Sequence, residues 1–367
     1  MQSAQFQLHA EIEDRHWWFV ARRRIVRSLI DQVLARDLAA SVVASNDRTA
    51  RVLAEWMGRS TIVPIVDALI TETSTTHTQT THTPASTASI SPSAASIALK
   101  TAETTQHAVM DTEFRRPISD RRPLIIDVGC GTGANIASLA DRYRCVGIDS
   151  SQEAIDLAKA RFPQAHFQCG YAPNDLMGLM PQASLVTMMD VLEHVEDDFA
   201  LLTGLLSAMQ PGAYLLLTVP ADLSLWSEHD ESFGHYRRYD QQRLEQLWNG
   251  LPVTPLLVSH YNTRLYRVIK ASRRISRWRK RSAGKNGTDF RIPSRPVNKL
   301  LEGIFAGERE RLSRSLLGEP DLGYGHGVSL IAILRREAGE IAPVSKPANI
   351  AADYFDPVRK QRVGANG

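Results

Sequence analysis

The sequence contains little cysteine and no apolar run long enough to cross a membrane. Its 367 residues include three cysteines, none of them in a Cys-x-x-Cys pair, so neither a disulfide framework nor a zinc site is indicated. The amino terminus lacks an apolar signal-peptide region, because Glu11, Glu13 and Asp14 follow a short polar lead. These absences predict a cytoplasmic protein in a reducing compartment, for which any membrane contact is peripheral.

The overall composition is that of a globular protein with a sizeable core. Hydrophobic residues make up 43% and charged residues 23% of the chain, while a net charge of +3 decides little. Residues 71–121 differ from the rest, because threonine, serine and alanine replace most charged and large apolar side chains over much of this stretch. Such a stretch buries too little apolar surface to offset the entropy of ordering. It is therefore predicted as a low-complexity insertion or linker.

A glycine-rich loop follows a predicted buried strand. Residues 124–128 read Leu-Ile-Ile-Asp-Val, and Gly129, Gly131 and Gly133 then alternate with Cys130 and Thr132. Glycines here allow a tight turn and a close approach of backbone N–H groups to a ligand. The spacing is Gly-x-Gly-x-Gly, whereas the dinucleotide fingerprint is Gly-x-Gly-x-x-Gly. About twenty residues on, the next predicted strand ends in Asp149, the offset at which an acidic side chain accepts ribose hydroxyls.

Strand, glycine loop, helix and acidic strand end in this order resemble the class I S-adenosylmethionine-dependent methyltransferases, of the type 11/23-like bacterial kind. The segment from Glu13 to Phe19, Glu-Asp-Arg-His-Trp-Trp-Phe, is similar to that of bacterial methyltransferases whose amino-terminal helices cover the cofactor. The resemblance implies S-adenosylmethionine as cofactor, with the loop and Asp127 at its methionine end and Asp149 at the ribose. The family usually has an acidic residue at the adenine soon after the third strand, whereas this chain has Tyr171 there. Two alternatives stay open, namely that Asp175 takes the place of the acidic residue or that Tyr171 stacks on the adenine. The predicted cofactor-binding residues are Asp127, Gly129, Cys130, Gly131, Gly133, Asp149, Ser150, Tyr171 and Asp190.

The fold predicted with this resemblance is an α/β, Rossmann-like, seven-stranded methyltransferase sheet, mostly parallel with an antiparallel last strand. Val253–Tyr261 and 327–335 are expected to form the antiparallel pair that closes the sheet. The predicted organisation is a helical cap over 1–70, the insertion over 71–121, a core over 122–262, a basic helical insertion over 263–325, the final strand over 326–342 and a disordered tail over 343–367.

An acidic and histidine-containing run follows the fourth predicted strand. If Asp190 opens a helical turn, then Asp190, Glu193 and His194 share one helical face. Three interpretations stay open: Asp190 and His194 line the methyl-transfer site, the three residues belong to a magnesium site, or they form an ordinary helix start. Two carboxylates and one imidazole do not specify a metal site, so no metal is predicted. Asp190 is not followed by Pro-Pro-aromatic, which argues against methylation of exocyclic base nitrogens.

Residues 226–239, after the fifth predicted strand, are dense in titratable and aromatic side chains. Loops at strand ends carry function, so this segment is a candidate for acceptor recognition. His229 or His235 is a candidate general base, His194 a further catalytic candidate, and arginines here suit an anionic acceptor. The predicted acceptor-binding residues are Trp18, Trp226, Arg237, Arg238 and Tyr239. The alternative is a polar cap that internal salt bridges hold together.

Residues 264–281 alternate basic and apolar side chains at helical spacing. Such a basic amphipathic helix binds an anionic membrane surface or RNA phosphates, or it packs on the domain by its apolar face. The sequence therefore predicts an enzyme that methylates a small or lipid-linked acceptor, at oxygen, in the cytoplasm or at the inner membrane surface. The alternatives are an RNA methyltransferase and a cofactor-binding module without turnover.

Overall fold

The computed structural model describes residues 3–45, 122–279, 292–341, 354–356 and 361–363. Apart from short 3-10 turns, each described element is labelled here in chain order. The strands are β1 Leu124–Val128, β2 Arg144–Asp149, β3 His166–Cys169, β4 Ala183–Met189, β5 Tyr214–Pro220, β6 Val253–Tyr261, β7 Ser329–Arg336, β8 Tyr354–Asp356 and β9 Gln361–Val363. The helices are α1 Ser3–Ile12, α2 Trp17–Ser45, α3 Ala134–Ala137, α4 Gln152–Arg161, α5 Asp198–Ala208, α6 Glu228–Ser232, α7 Gln241–Glu245, α8 Tyr266–Arg279, α9 Arg295–Ala306 and α10 Arg309–Leu316.

A seven-stranded sheet with the order β3-β2-β1-β4-β5-β7-β6 forms the centre of the molecule. Strands β1 to β5 pair in parallel, whereas β7 lies antiparallel to both of its neighbours, β5 and β6. The predicted fold class is therefore confirmed, together with the antiparallel pairing of the last two core strands. Every residue of β1 and of β5 is buried, as expected for strands that are covered on both faces.

Alternate residues of the strands face two separate hydrophobic cores. Ile125 of β1 belongs to the cluster that includes Ile25 and Leu29 of α2. Its neighbour Ile126 belongs to the cluster that includes Leu202 of α5. Because successive strand side chains point to opposite faces, the amino-terminal helix covers one face and α5 covers the other.

The amino-terminal cap begins as predicted, with two helices over residues 3–45. Helix α2 packs against α9 and α10, which come from the other end of the chain. The remainder of the predicted cap, residues 46–70, and the whole low-complexity insertion lie outside the described residues.

The insertion before the last core strand is helical, as predicted. The basic stretch forms α8, and the following stretch forms α9 and α10, which meet at Gly307 and Glu308. No helix in the described ranges has the length and apolar character that a membrane crossing requires. Within the tail predicted to be disordered, residues 343–367, β8 pairs with β9 in antiparallel fashion. The other residues of this tail lie outside the described ranges.

Candidate functional site

A cavity of about 290 Å³ lies at the carboxyl edge of the parallel strands. Ligands of open α/β sheets bind at this edge, because the loops that leave the strand ends surround it. Distant parts of the chain line the cavity, including the α1–α2 segment, the loop after β1, the ends of β4 and β5, and α8. The lining residues include Glu13, Trp18, Arg22, Gly129, Cys130, Gly131, Asp190, Glu193, His194, His229, His235, Arg238, Asn262 and Arg273.

The loop after β1 contributes mainly backbone to the cavity. Gly131 has φ +52°, which L side chains rarely adopt, and a Cβ on it would meet nothing within 4 Å. Gly133 serves a different purpose, because a Cβ there would lie 2.8 Å from the Phe167 ring. It allows α3 to pack closely against β3 and does not line the cavity. Gly133 therefore has a packing role, and its expected contact with the cofactor stays a prediction.

Asp149 holds this loop from the end of the neighbouring strand β2. Its Oδ2 accepts a hydrogen bond from Gly131 N at 2.9 Å, and its Oδ1 accepts one from Ser151 N at 2.9 Å. The carboxylate thus fixes both the glycine loop and the start of α4. Asp149, Ser150 and Tyr171 lie outside the cavity lining, and the Tyr171 side chain is 70% exposed. Their contacts with the ribose and adenine stay predictions.

Asp127, expected at the methionine end of the cofactor, is buried inside the sheet. Its Oδ1 accepts a hydrogen bond from Thr187 Oγ1 at 2.6 Å, and its side chain does not line the cavity. Burial raises the pKa of Asp127 to about 7, against the opposing effect of the Thr187 hydrogen bond. Asp127 thus connects β1 to β4, and its expected contact with the methionine end of the cofactor stays a prediction.

Asp190 follows β4 in the left-handed conformation, with φ +57°. It does not open a helical turn with Glu193 and His194, because only Leu192–His194 form a short 3-10 turn. Its carboxylate accepts a hydrogen bond from Thr218 Oγ1 at 3.1 Å and pairs with Arg22 of α2. The expected common helical face is wrong, although Asp190 and His194 both line the cavity.

Helix α2 and the turn before it close over the strand ends. The Arg22 guanidinium lies 4.3 Å from the centre of the Trp18 ring, a favourable cation–π distance. Glu13 accepts a hydrogen bond from Thr132 Oγ1 at 2.9 Å and pairs with Arg161 of α4. The amino-terminal segment is therefore attached both to the glycine loop and to β4, and sequence reasoning did not identify Glu13 or Arg22 as site residues.

Three of the imidazoles that line the cavity lie close to one another. The rings of His194 and His235 lie 4.6 Å apart, and those of His229 and His235 lie 6.3 Å apart. Burial lowers the pKa of both His194 and His229 well below the usual range, so both are neutral near pH 7 and able to accept a proton. His235 Nδ1 lies 3.1 Å from Asp230 Oδ1. The structure therefore brings the three predicted catalytic residues together, and their catalytic roles stay predictions.

Arg237, expected to hold an anionic acceptor, has a structural role. Its guanidinium donates hydrogen bonds to the carbonyls of Val195 at 2.6 Å and Glu196 at 2.7 Å, and it lies 3.5 Å from the buried Asp198 carboxylate. The Tyr239 hydroxyl donates to the same carboxylate at 2.9 Å. Both side chains are buried and outside the cavity lining, and their expected contacts with the acceptor stay predictions.

The remaining acceptor-binding candidates are divided. Trp18 and Arg238 line the cavity, whereas Trp226 does not. Trp226 Nε1 donates to Glu231 at 3.3 Å, and its expected contact with the acceptor stays a prediction. Arg238 donates to Asp230 Oδ1 at 2.8 Å and to the Ala221 carbonyl at 2.9 Å. Internal salt bridges thus hold much of this segment, as in the alternative interpretation of the sequence.

Asn262 and Arg273 are cavity residues that sequence reasoning did not identify. Asn262 follows β6 with φ +55° and is 1% exposed, and neither of its amide atoms has a hydrogen-bond partner in the described part of the chain. Arg273 of α8 donates to the Leu225 carbonyl at 2.6 Å and lies 3.9 Å from Asp230 Oδ2. For Asn262, the available signal in the sequence was an asparagine directly after a predicted strand, because asparagine adopts the left-handed conformation more readily than most residues.

Residues 101–251 match the family model of a methyltransferase domain. This stretch of the chain therefore carries a methyltransferase domain. Trans-aconitate 2-methyltransferase of Azoarcus sp. (strain BH72) is 32% identical over 127 residues, which cover 33% of this chain and 48% of that protein. Ubiquinone biosynthesis O-methyltransferase of Coxiella burnetii is 32% identical over 98 residues, covering 26% of this chain and 42% of that protein.

The methyltransferase domain thus matches just under half the length of these curated relatives. Among solved structures, a SAM-dependent methyltransferase from Archaeoglobus fulgidus is 17% identical with a TM-score of 0.36, covering 64% of this chain and 94% of that chain. S-adenosylmethionine is the cofactor of the domain. Gly129 and Gly131 line the cavity with backbone only, and their contact with the methionine end of this cofactor stays a prediction.

Proposed function

We propose that the protein transfers the methyl group of S-adenosylmethionine to an oxygen of a small-molecule acceptor that binds in the cavity. The observation that carries this proposal is the position of the cavity, which joins the glycine loop after β1 to a cluster of three imidazoles. A hydroxyl acceptor loses a proton on methylation, and a neutral imidazole at the cavity has a ring nitrogen that can accept it.

The chemistry needs alignment more than activation, because the sulfonium methyl group of the cofactor is already electrophilic. The acceptor oxygen attacks the methyl carbon as the bond to sulfur breaks, and S-adenosylhomocysteine leaves. The chain supplies a covered cavity in which the two reactants are held in line. Trp18 and Arg22 of α2 form part of that cover, and His194, His229 and His235 are the candidate proton acceptors.

The size and the cover of the cavity favour a small acceptor over RNA. Ligand cavities in proteins measure about 300–1,000 Å³, and this cavity is close to the lower end. Helix α2 lies across the strand ends and is tied to β4 by the ion pair between Arg22 and Asp190. A polynucleotide requires an open basic groove that follows its backbone. The relatives that bear the names of trans-aconitate and ubiquinone biosynthesis also support a small acceptor.

A lipid-linked acceptor is the second candidate, because α8 presents different side chains to the cavity and to solvent. Ile269 and Arg273 line the cavity, whereas Val268 and Ile275 are 64% and 50% exposed. Arg267 and Arg274 are exposed beside them. Basic side chains near an anionic bilayer contribute about 1 kcal/mol each. This helix therefore supports peripheral binding at the inner membrane surface, with the acceptor supplied from the lipid phase.

The test is transfer of labelled methyl from S-adenosylmethionine into a cell extract, followed by separation into organic-soluble, small polar, nucleic-acid and protein fractions. Label in the small polar fraction supports a soluble acceptor, and label in the organic phase supports a lipid-linked one. Label in RNA would overturn the proposal in favour of RNA methylation. Retained cofactor binding without label in any fraction would favour a binding module. The Asp149→Ala variant provides the background.

A further inference from the structure

We propose that Glu193, His194 and His235 bind one divalent transition-metal ion in the wall of the cavity. One potential ligand atom from each of these residues lies within 4.8 Å of the other two. Metal–ligand bonds of about 2.0–2.2 Å place neighbouring ligands about 3–3.5 Å apart. The widest of these separations therefore has to shorten by at most about 1.3–1.8 Å for the three side chains to share an ion.

The backbone supplies these ligands from two places that the fold brings together. Glu193 and His194 are consecutive in the 3-10 turn after β4, and His235 comes from the segment after α6. The main chains of the two places are joined directly, because Tyr236 N donates a hydrogen bond to the Glu193 carbonyl at 2.7 Å. The ligand set is thus attached to the sheet edge and does not depend on a free loop.

Both imidazoles are oriented by a hydrogen bond on one nitrogen. His235 Nδ1 lies 3.1 Å from Asp230 Oδ1, and Asp230 is itself fixed by Arg238 Nε at 2.8 Å. His194 forms a hydrogen bond with the backbone of Phe233. Metal-binding histidines in proteins characteristically make such a bond, because it fixes the tautomer and leaves the second nitrogen for the ion.

Glu193 gives the second, independent observation. The residue is 1% exposed and lines the cavity, and its Oε2 has no hydrogen-bond partner among the described residues. A buried carboxylate oxygen without a partner is costly. A bound cation would remove this cost.

The ligand types indicate which ions fit. Two imidazoles with one carboxylate suit zinc, manganese, iron or cobalt, whereas magnesium and calcium prefer oxygen ligands. Three protein ligands leave coordination positions open toward the cavity. This inference rests on the proposed function for its role, which is to hold the acceptor oxygen and lower the pKa of its hydroxyl. His229, outside the trio, is then the proton acceptor.

The sequence predicted no metal, and the set considered there contained Asp190 in place of His235. Asp190 is committed elsewhere, since it pairs with Arg22 and accepts a hydrogen bond from Thr218. The residue that completes the trio lies about forty positions further along the chain. Its contribution depends on the folded path of the segment after β5.

The experiment uses the untagged full chain after removal of metal with a chelator. Titration with Co²⁺, Zn²⁺ and Mn²⁺ is followed by calorimetry, and bound Co²⁺ also by its visible absorption. We expect one ion per chain for at least one of these metals. Glu193→Gln, His194→Asn and His235→Asn should each weaken binding at least ~100-fold, whereas His229→Asn should retain it.

Circular dichroism and binding of S-adenosylhomocysteine serve as folding controls for each variant. Because three ligands are tested separately, one variant that fails to fold leaves two others to decide. The proposal is overturned if no ion binds, or if the folded ligand variants bind it as tightly as the original chain. Methyl transfer by the metal-free chain at full rate would reject the proposed role of the ion in catalysis and keep the methyl-transfer function. A bound ion without any methyl transfer would reject the proposed function and keep the site.

Discussion

The loop after β1 and the segment after β5 both leave the carboxyl edge of the sheet, but they build the site in different ways. The first is five residues of mostly glycine and presents backbone to the cavity. The second, residues 221–239, presents side chains, of which some line the cavity and others hold the segment together. His229, His235 and Arg238 line the cavity, whereas Arg237 and Tyr239 hold the segment together.

This difference explains why one half of the site was predictable and the other was not. A backbone site needs glycines at fixed spacing, and that spacing is visible in the sequence. A side-chain site depends on which of several similar residues points into the cavity. Arg237 and Arg238 are adjacent and are both arginine, so the sequence does not distinguish them. Only the partner on the other element, Asp198 or Asp230, distinguishes them.

The largest expected effect is on the backbone half. Replacing Asp149 with Ala removes both the predicted ribose contacts and the hydrogen bond that holds Gly131. We expect affinity for S-adenosylmethionine to fall about 1,000-fold, equivalent to ~4 kcal/mol, as measured by calorimetry. Asp156→Ala, an exposed carboxylate on α4, should leave the affinity unchanged. Equal affinities for the two variants would remove Asp149 from the site.

The next effect tests the structural role of Arg237. Arg237→Met leaves the buried Asp198 with fewer partners and two carbonyls without a donor. The free energy of unfolding should fall by about 3 kcal/mol, measured by urea denaturation, while the KM for the acceptor stays unchanged. Arg314→Met removes an exposed pair with Glu319 and should change stability little. A raised KM without loss of stability would return Arg237 to the acceptor site.

The attachment of α2 should come third. Arg22→Met breaks the pair with Asp190 at the end of β4, and we expect about 2 kcal/mol lower stability with a larger fractional loss of methyl transfer. A double-mutant cycle with Asp190→Asn measures the coupling between the two side chains. Coupling near zero would contradict a role for this pair in closing the cavity.

The effect that is smallest for a step of one pH unit concerns Asp127. Its raised pKa of about 7 means that the folded chain holds a proton that the unfolded chain releases near pH 4. Stability of the original chain should therefore fall as pH rises from about 4 to about 7, by at most about 1.4 kcal/mol per pH unit. Asp127→Asn should lack this contribution. Parallel stability curves for the two proteins would contradict the raised pKa.

The fold was accessible from the sequence because its signals are local. Buried strands, the glycine loop and the final pair Val253–Tyr261 with 327–335 follow from composition and spacing within short windows. The contacts of Asp190 could not be predicted from the sequence. A residue with φ +57° can end a strand without starting a helix, and its partner Arg22 lies far away in the sequence. The unsatisfied polar atoms of Asn262 and Glu193 were inaccessible for a related reason, because hydrogen-bond partners can be assigned only when the folded surroundings are known.

The position of β7 between β5 and β6 has a consequence for synthesis on the ribosome. A nascent chain that has released residues up to 325 carries both neighbours of β7 but not the strand that joins them. Two open strand edges are then exposed to other chains. Asn298, which donates a hydrogen bond to the Arg15 carbonyl and accepts one from Trp17 N, also arrives late. Helices α1 and α2 are synthesised first, but they can close over the cavity only after α9 and β7, near the end of the core, have been synthesised.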